Sequence, residues 1–297
     1  MKKAIITGAA GFAGYSTTIE LLNNGYEVYA ILKPLSSHNE RFSGFSNLLK
    51  CIELDCSDFD KIPKYIEDKC DCFFHLAWYG ERDNLSQQMR NIEYCMKALK
   101  SASETGCSRF VGIGSQAEIG LTEELMTEDV PLNPFSAYGA AKVAALHLSR
   151  VLARQLHLEW TWGRIFSLYG DYEPSGRMLP DLIRKLKSKE DIFLSSCEQN
   201  WDYLHVKDAA KAIIAIGERG HCNEVYNIAY GNYKPLKSFV DEIIELSCCK
   251  SHIVYGEKAV PFVSLQSDIS KITAHTGWKP EIEFRDGILR MVNNYAI

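Results

Sequence analysis

The first half of the chain alternates short apolar runs with longer stretches in which apolar residues recur at helical spacing. Because buried strands of parallel sheets are short and continuously apolar, the runs predict strands at 3–7, 27–32, 71–76, 109–114 and 159–166. The amphipathic stretches predict helices at 12–24, near 58–68, at about 85–105 and at about 134–156. Strand–helix alternation at this spacing predicts an α/β fold, a parallel sheet covered by helices on both faces.

The pattern changes after about residue 169. A loop precedes a basic helix predicted at 178–188, two short strands near 192–195 and 203–206, and then a helix and a strand, K-D-A-A-K-A-I-I-A-I and E-V-Y-N-I-A. The remainder mixes helix and loop, and no linker or repeat interrupts the chain. We therefore predict one large domain over 1–168, to which 205–229 returns, and a smaller lobe formed by 169–204 and 230–297.

Composition and charge narrow the class of protein. The chain has 297 residues, a formal net charge of −5, 46% hydrophobic residues and 24% charged residues, which is typical of a soluble globular protein. The mild acidity argues against a protein that binds nucleic acid polymers, since such proteins are usually basic. No apolar run approaches the roughly 18 residues that span a bilayer, and the run after Met-Lys-Lys is too short for a signal peptide. We expect a cytoplasmic protein without membrane contact.

The cysteines bear on metal binding. Ten cysteines are many for this length, but they form no C-x-x-C pair and no nearby H-x₃₋₅-H completes a ligand set. Such paired spacing is typical of structural zinc sites. We therefore expect reduced, mostly buried thiols and no metal.

A glycine-rich loop joins the first predicted strand to the first predicted helix. The segment T-G-A-A-G-F-A-G contains Gly8, Gly11 and Gly14, with Phe12 and Ala13 between the last two. Glycines at these positions permit a tight turn and let the backbone approach a pyrophosphate at the N-terminus of a helix. Glycines also serve ordinary turns, so it is the position between a strand and a helix that predicts a dinucleotide site.

Tyr138 and Lys142 are four residues apart in the helix predicted at 134–156, which puts both side chains on one face. A phenol is a poor base at neutral pH, but a neighbouring ammonium favours the phenolate, so the pair can exchange a proton with an alcohol or a ketone. Ser115 follows the strand at 109–114, where its hydroxyl can hold a substrate oxygen. Taken alone, a Tyr–Lys pair at this spacing is more often a surface feature, and the alternative for Ser115 is a turn cap.

These three features, in this order and spacing, resemble the extended short-chain dehydrogenase/reductase family of nucleotide-sugar epimerases, dehydratases and ketoreductases. The resemblance covers nearly the whole chain. It implies a Rossmann-type doubly wound parallel sheet with a smaller C-terminal substrate-binding lobe, and an NAD(P)-dependent enzyme that acts on nucleotide sugars. It also implies that Tyr138 is the catalytic acid and base, that Lys142 binds the nicotinamide ribose and lowers the pKa of the tyrosine, and that Ser115 polarises the substrate oxygen.

The same resemblance implies the remaining contacts with the cofactor. The glycine loop would hold the pyrophosphate. Asp55, which is followed by Cys56, matches the family's aspartate near the adenine. The segment H-L-A matches the one that lines the cofactor, through Leu76 and Ala77, and its His75 is interpreted as a strand-end histidine without chemistry.

Later segments match the family in part. R-I-F-S-L-Y-G has Ser167 where the family often has asparagine, and W-D-Y-L-H-V-K-D has Trp201 where an arginine often stands. His205 belongs to this second element, which lies near the substrate nucleotide in the family. The segment 261–268 lacks the arginine that often clamps a diphosphate, and Arg177 is either its substitute or a solvated loop charge. These departures leave the nucleotide and the sugar open.

The residues after Ser115 bear on the type of reaction. Family dehydratases carry Asp-Glu there, whereas this chain has Gln116 and Ala117, and an amide cannot act as a general acid. Dehydration is therefore not expected, and Gln116 becomes a candidate substrate contact. Keto reduction and epimerisation remain, and both move a hydride between nicotinamide C4 and a sugar carbon while Tyr138 handles the proton.

Cofactor preference separates these two reactions. About 20 residues after the glycine loop, NAD enzymes carry an acidic residue that binds the ribose, whereas this chain has Lys33 followed by Ser36 and Ser37. An ammonium and two hydroxyls suit the 2′-phosphate of NADP(H), and the loop is similar to that of NADP-dependent relatives, although such residues also occur in solvated loops. Since family reductases consume NADPH and epimerases retain NAD, we predict an NADP(H)-dependent reductase of a 4-keto(-6-deoxy) sugar. NAD(H) with sugar 4-epimerisation is the alternative.

Two further expectations concern partners. A non-catalytic NADP(H)-binding regulatory protein is a remote alternative, against which the complete set of Ser115, Tyr138 and Lys142 argues. The helices predicted at 85–105 and 134–156 match the pair that forms the dimer interface in the family, which implies a homodimer. Their apolar faces are equally able to pack against the sheet.

Overall fold

The apolar runs of the sequence form one large parallel sheet in a computed structural model that describes residues 1–45, 47–248, 251–256 and 263–294. The strands are β1 (Lys3–Thr7), β2 (Glu27–Leu32), β3 (Leu49–Glu53), β4 (Cys72–His75), β5 (Arg109–Ser115), β6 (Glu159–Ile165), β7 (Ser167–Tyr169), β8 (Ile192–Phe193), β9 (Asn200–Trp201), β10 (Tyr203–His205), β11 (Glu224–Ile228), β12 (Lys234–Pro235) and β13 (Ile253–Val254). The large sheet has the order β11-β6-β5-β4-β1-β2-β3, and every neighbouring pair is parallel. The predicted parallel α/β sheet is confirmed.

Helices pack on both faces of this sheet. The α-helices of the described residues are α1 (Phe12–Asn23), α2 (Leu85–Glu104), α3 (Ala137–Gln155), α4 (Met178–Lys187), α5 (Val206–Arg219), α6 (Leu236–Ser247), α7 (Ser270–Thr276) and α8 (Phe284–Asn294), of which α1, α2, α3 and α5 cover the sheet. Ile6 belongs to the buried cluster that includes residues of α1 and α5, and its neighbour Ile5 belongs to the cluster with α2 and α3. Successive strand side chains point to opposite faces, so the core lies on both sides of the sheet. None of the described helices is both long and apolar enough to cross a membrane.

The order of the strands determines where the two segments predicted to bind the cofactor lie. On one side of β1 lie β2 and β3, and on the other lie β4, β5 and β6. In open parallel sheets, ligands bind in the crevice at the carboxyl ends of the strands where the order reverses. The loops that follow β1 and β4 contain the glycine motif and the H-L-A segment, so the fold brings these two segments to the crevice.

The C-terminal third forms an apolar cluster of its own. It contains buried residues of α4, α6 and α8, while β10 pairs with β7 and β11 extends the large sheet beside β6. The proposed boundaries, 1–168 with 205–229 and 169–204 with 230–297, stay a prediction. Residues 46, 249–250, 257–262 and 295–297 lie outside the described residues, and these include the start of the segment 261–268.

Three secondary-structure predictions differ from the structure. The α-helix predicted near 58–68 is wrong: Cys56–Lys64 form a 3₁₀ helix with Pro63 inside, and proline disfavours an α-helix because it lacks an N–H donor and clashes with the preceding turn. The sequence pattern missed β3, an edge strand that contains exposed residues and so lacks a continuous apolar run. The helix predicted from 134 begins at Ala137, because the Ser136 side chain caps it.

Candidate active site

The glycine loop forms a tight cradle between β1 and α1. Gly8 has a φ of +71°, and a Cβ there would lie 2.7 Å from the backbone nitrogen of Ala77. A Cβ on Gly14 would lie 1.9 Å from the carbonyl oxygen of Gly8, so neither position accepts a side chain without a backbone shift. Gly11 begins α1 without a side-chain cap and no acidic residue stands in the first turn. The N–H groups of the first turn, from Phe12 to Gly14, therefore remain for an anion such as a pyrophosphate.

The end of β4 lies against this cradle. The backbone N–H of Leu76 donates to the carbonyl of Thr7 at 3.2 Å, and that of Ala77 donates to the Thr7 hydroxyl at 3.4 Å. His75 is buried, with its Nδ1 in a 2.8 Å hydrogen bond with the same hydroxyl, and burial lowers the pKa of His75 to about 3. A neutral His75 therefore links two strands below the crevice.

The loop after β2 holds the residues predicted to read the cofactor's ribose. Lys33 and Ser37 are exposed, and the Ser36 hydroxyl accepts a hydrogen bond from the backbone N–H of His38 at 3.3 Å. Ser36 thereby caps a 3₁₀ helix over Ser37–Phe42, which fixes the course of the loop.

Asp55 and Cys56 lie at the end of β3, near that loop. The pKa of Asp55 is lowered, mainly because its carboxylate accepts hydrogen bonds from Ser57. The charge of Lys33 lowers it further. Burial raises the pKa of the Cys56 thiol to about 11, so it stays protonated and apolar in character. The structure thus brings Lys33 and Asp55 together beside the crevice.

Arg41 is a second cation at the glycine loop, and the sequence analysis missed it. Its Nη1 donates to the carbonyl oxygen of Ala10 at 2.9 Å. Its guanidinium lies 4.5 Å from the ring centroid of Tyr172 and 6.0 Å from that of Tyr15. Arg41 belongs to no motif, and only the fold joins it to a loop about 30 residues earlier in the chain, as is common for loop residues.

Ser115, Tyr138 and Lys142 meet at the carboxyl end of β5. Ser115 ends β5, close enough to Tyr138 to lower the pKa of its phenol. The cap at Ser136 starts α3 so that Tyr138 lies in its first turn, and one turn later the Nζ of Lys142 donates to the carbonyl of Ile113 in β5 at 2.6 Å. The structure therefore brings together the three predicted catalytic side chains, on one helix and the strand it packs against.

Burial controls the ionisation of this group. It raises the pKa of Tyr138 above the usual range of a phenol, while the hydrogen bond with Ser115 and the charge of Arg82 act in the opposite direction. Burial lowers the pKa of Lys142 to about 7, and its Nζ lies 3.5 Å from the ring centroid of Trp78. Such an arrangement gives a protonated phenol next to a group that titrates near neutral pH, which suits proton exchange with a bound alcohol or ketone.

A buried ion pair supports the turn that carries the serine. Glu118 and Arg164 are almost inaccessible, and their charged atoms lie 2.9 Å apart. The other carboxylate oxygen of Glu118 accepts hydrogen bonds from the backbone N–H of Ser115 at 2.9 Å and from Nε1 of Trp162 at 3.0 Å. The sequence analysis missed this pair, although S-Q-A-E is the S-x-x-E signature of a capping box, which these residues form.

A cavity of about 370 Å³ lies in the C-terminal lobe, lined by residues that include Gly176, Met178, Gln199, Trp201 and Tyr203. Among the described residues, Nε1 of Trp201 has no hydrogen-bond partner although it is buried. Arg177 precedes α4 and lies between two lining residues, and its charge lowers the pKa of Tyr138. Trp201 therefore lines this cavity, and Arg177, which is next to two lining residues in the chain, is close enough to Tyr138 to affect its pKa.

Other predicted substrate contacts lie elsewhere or in structural positions. His205 is buried, its Nδ1 accepts a hydrogen bond from the backbone N–H of Lys207 at 3.2 Å, and burial lowers the pKa of His205 to about 4. Ser167 lies in β7 opposite Tyr203 of β10. Gln116 directly follows Ser115 at the start of a 3₁₀ turn, so it lies at the catalytic group whereas His205 caps a helix. The roles of all three in substrate binding stay predictions.

Comparisons with known proteins were made for both sequence and structure. The model of the family described as "NAD dependent epimerase/dehydratase family" matches residues 4–229. The chain is 28% identical over 251 residues to a dTDP-6-deoxy-L-talose 4-dehydrogenase (NAD(+)) of Aggregatibacter actinomycetemcomitans, which covers 81% of this chain and 88% of that protein. It is 26% identical over 305 residues to a putative UDP-glucose 4-epimerase of Methanocaldococcus jannaschii, with 97% of each chain covered. The fold matches the crystal structure of a dTDP-glucose 4,6-dehydratase from Bacillus anthracis str. Ames in complex with NAD, with a TM-score of 0.87, 20% identity and coverage of 99% and 96% of the two chains.

Proposed function

Because the chain belongs to the NAD-dependent epimerase/dehydratase family, we propose that it is an NADP(H)-dependent reductase of a nucleotide-linked 4-keto(-6-deoxy) sugar. Membership of this family confirms the recognition made from the glycine loop, the serine and the Tyr–Lys pair, and with it the prediction of an enzyme. The observation that carries the proposal is the placement of Ser115 at the end of β5 next to Tyr138, with Lys142 one turn away on α3.

The residues present fit a dinucleotide. A side chain at Gly8 or Gly14 would collide with backbone atoms, so the loop leaves its peptide groups open to close approach. The uncapped N-terminus of α1 supplies N–H donors for the pyrophosphate, and Leu76 and Ala77 border the same space. The bound nicotinamide supplies the hydride that a ketone must accept.

The chain's own residues then supply the proton. Reduction of a ketone needs an acid next to its oxygen, and Tyr138 is protonated at neutral pH because burial raises its pKa. Ser115 lies next to Tyr138 and supplies a hydroxyl that can bind the same oxygen. Lys142 lies one turn away on α3 with a pKa near 7, so it can return a proton to the tyrosine after the transfer. This protonation state favours reduction over oxidation at neutral pH.

Positive charge beside the crevice supports NADP(H) over NAD(H). Lys33 is exposed in the loop after β2, and Arg41 rests on the glycine loop through Ala10. A 2′-phosphate carries charge that an ammonium, a guanidinium and the hydroxyls of Ser36 and Ser37 can bind through charge-assisted hydrogen bonds.

The Lys33→Asp variant tests this preference. We expect it to weaken NADPH binding by about two orders of magnitude, since a charge-assisted hydrogen bond contributes about 1.5–3 kcal/mol and the new carboxylate also repels the phosphate. NADH binding should change little. Fluorescence titration of each reduced cofactor measures both constants, and Lys64→Asp, which changes the same charge at another exposed position, is the control. Equal losses for the two cofactors would contradict the preference.

The cavity beside α4 supports a substrate with a nucleotide. Its aromatic walls, Trp201 and Tyr203, suit a base, and the unpartnered Nε1 of Trp201 is a donor for an oxygen of the ligand. Arg177 is next to two lining residues of this cavity in the chain and its charge affects Tyr138, so it is a candidate ligand for the diphosphate of a nucleotide sugar.

We also propose a homodimer formed through α2 and α3. Leu85 and Met89 on α2 and Leu148 and Val151 on α3 are large apolar side chains that remain exposed. Exposed apolar residues on two neighbouring helices are typical of an interface between subunits. The cytoplasmic location stays a prediction.

An NAD-dependent sugar 4-epimerase is the second candidate, because one relative is named as a 4-epimerase and the relative named as a 4-dehydrogenase uses NAD(+). The experiment that separates the two is incubation with NADPH and 4-keto-6-deoxy sugars linked to CDP, dTDP, GDP or UDP. We expect one of them to cause loss of reduced nicotinamide absorbance and to give a 4-hydroxy sugar. Analysis of the dinucleotide released on denaturation is the control: tightly held NAD, together with interconversion of 4-hydroxy sugars, would overturn the reductase.

A further inference from the structure

A loop of fixed shape follows the H-L-A segment and leads to the catalytic tyrosine. Two buried amides at the start of α2, Gln88 and Asn91, hold it. Gln88 accepts a hydrogen bond from Nε1 of Trp78 at 2.7 Å and donates to the carbonyl of Glu81 at 2.8 Å. Asn91 exchanges two hydrogen bonds with the backbone of Tyr79, both at 2.8 Å. Buried amides with satisfied hydrogen bonds give such a loop a single conformation.

This loop places Arg82 over Tyr138. The guanidinium carbon lies 4.4 Å from the centroid of the tyrosine ring. The backbone also joins the two residues, since the N–H of Tyr138 donates to the carbonyl of Arg82 at 3.1 Å. No ion pair holds the Arg82 guanidinium within the part of the chain that the structure describes. Its charge therefore remains available to the ring beneath it.

Lys142 is less well placed to supply this charge. Its Nζ lies 5.8 Å from the ring centroid of Tyr138, farther than the guanidinium carbon of Arg82. It donates to the carbonyl of Ile113, and the indole of Trp78 covers it. Because burial lowers its pKa to about 7, Lys142 carries only part of a charge at neutral pH, whereas a guanidinium stays fully charged.

We propose that Arg82 is a positioning residue that acts through Tyr138: it keeps a permanent positive charge over the phenol ring and stabilises the phenolate that remains after proton transfer. This proposal rests on the proposed function, in which Tyr138 gives its proton to a sugar carbonyl. Arg82 lies in a loop outside every motif of the family resemblance, and the proposal gives it a role in the reaction.

The other groups around Tyr138 do not replace this charge. Ser115 contributes a hydrogen bond, and Glu118 acts in the opposite direction because its carboxylate destabilises a phenolate. Arg177 also lowers the pKa of Tyr138, but it ranks after Arg82 and Glu118 among the causes. The sign of the Arg82 effect is therefore fixed: without it, the phenol loses its proton at a higher pH.

Fluorine NMR of protein labelled with 3-fluorotyrosine tests the proposal without any substrate. The resonance of position 138 is identified by its absence in Tyr138→Phe, and its pH titration gives the pKa of that phenol. In Arg82→Met we expect the pKa to rise by about one unit, the size expected for a charge about 5 Å away at a partly exposed site. Arg82→Lys should recover most of the shift, and Arg90→Met, which removes the same charge from an exposed position on α2, should cause none.

The pH dependence of activity is the second readout. The reductive reaction needs the protonated phenol, so it declines as pH rises through the pKa of Tyr138. In Arg82→Met this decline should move to higher pH by the same amount as the NMR titration. An unchanged titration in Arg82→Met would overturn the role of Arg82 and leave the reductase proposal intact. If the pKa of Tyr138 rises in Arg82→Met but the protein reduces no keto sugar, only the reductase proposal is refuted.

Discussion

Tyr138→Phe is expected to lower kcat for keto-sugar reduction by roughly 10³-fold, within the range of about 10²–10⁴ for loss of a general acid. The variant removes only the phenolic oxygen, so the ring keeps its contacts with the Arg82 guanidinium and with the Trp78 indole, whose centroid lies 6.1 Å away. The backbone bond to Arg82 and the cap at Ser136 are also unaffected. Steady-state kinetics with the substrate found in the nucleotide-sugar panel measure the loss.

The control for this variant is the binding of the reduced cofactor, which should be nearly unchanged because the glycine cradle lies on a different strand. Ser115→Ala is the matched second variant: it removes the hydroxyl next to the phenol and should also lower kcat, with the fold kept by the Glu118 side chain. If Tyr138→Phe kept its activity, the acid would have to be another group, and the proposed role of Tyr138 would fail.

The candidate catalytic residues could be picked out from the sequence because each has a local signature, and their catalytic roles stay predictions. Gly8 and Gly14 stand where a side chain would collide, and Tyr138 and Lys142 share one helix face, so short stretches of sequence carry the information. The strand β2 also has a local signature: all of its residues are buried, so its sequence is a short continuous apolar run. Where the relevant contacts lie within a few residues, pattern and structure agree.

Residues whose role depends on distant contacts could not be predicted. Arg41 reaches Ala10 across the carboxyl edge of the sheet, and Arg82 reaches Tyr138 only because two buried amides shape its loop. Neither arginine lies in a periodic segment or a motif, and both look like solvated loop charges in the sequence. The edge strand β3 could not be predicted for a related reason. It pairs only with β2, so part of it is exposed and its sequence has no continuous apolar run.

The second large effect is expected at the buried ion pair. Glu118→Ala should lower the free energy of unfolding by about 3–5 kcal/mol, because removal of one partner leaves the other charge buried without compensation. Arg164 would lose the carboxylate 2.9 Å away, and Nε1 of Trp162 and the backbone N–H of Ser115 would lose their acceptor. Urea unfolding followed by circular dichroism measures the change.

Two variants separate this cost from a general effect of losing a glutamate. Glu245→Ala breaks an Arg–Glu pair with Arg285 at 2.8 Å, nearly the same distance, but both partners are exposed, so the free energy of unfolding should hardly change. The double variant Glu118→Met with Arg164→Met removes both buried charges, and we expect it to be more stable than Glu118→Ala, since no unpaired charge remains. A Glu118→Ala protein as stable as Glu245→Ala would show that water or a rearranged partner compensates Arg164. Because Glu118 also anchors the N–H of Ser115, its loss should lower kcat through the serine turn, which links the stability of this pair to the geometry of the proton transfer.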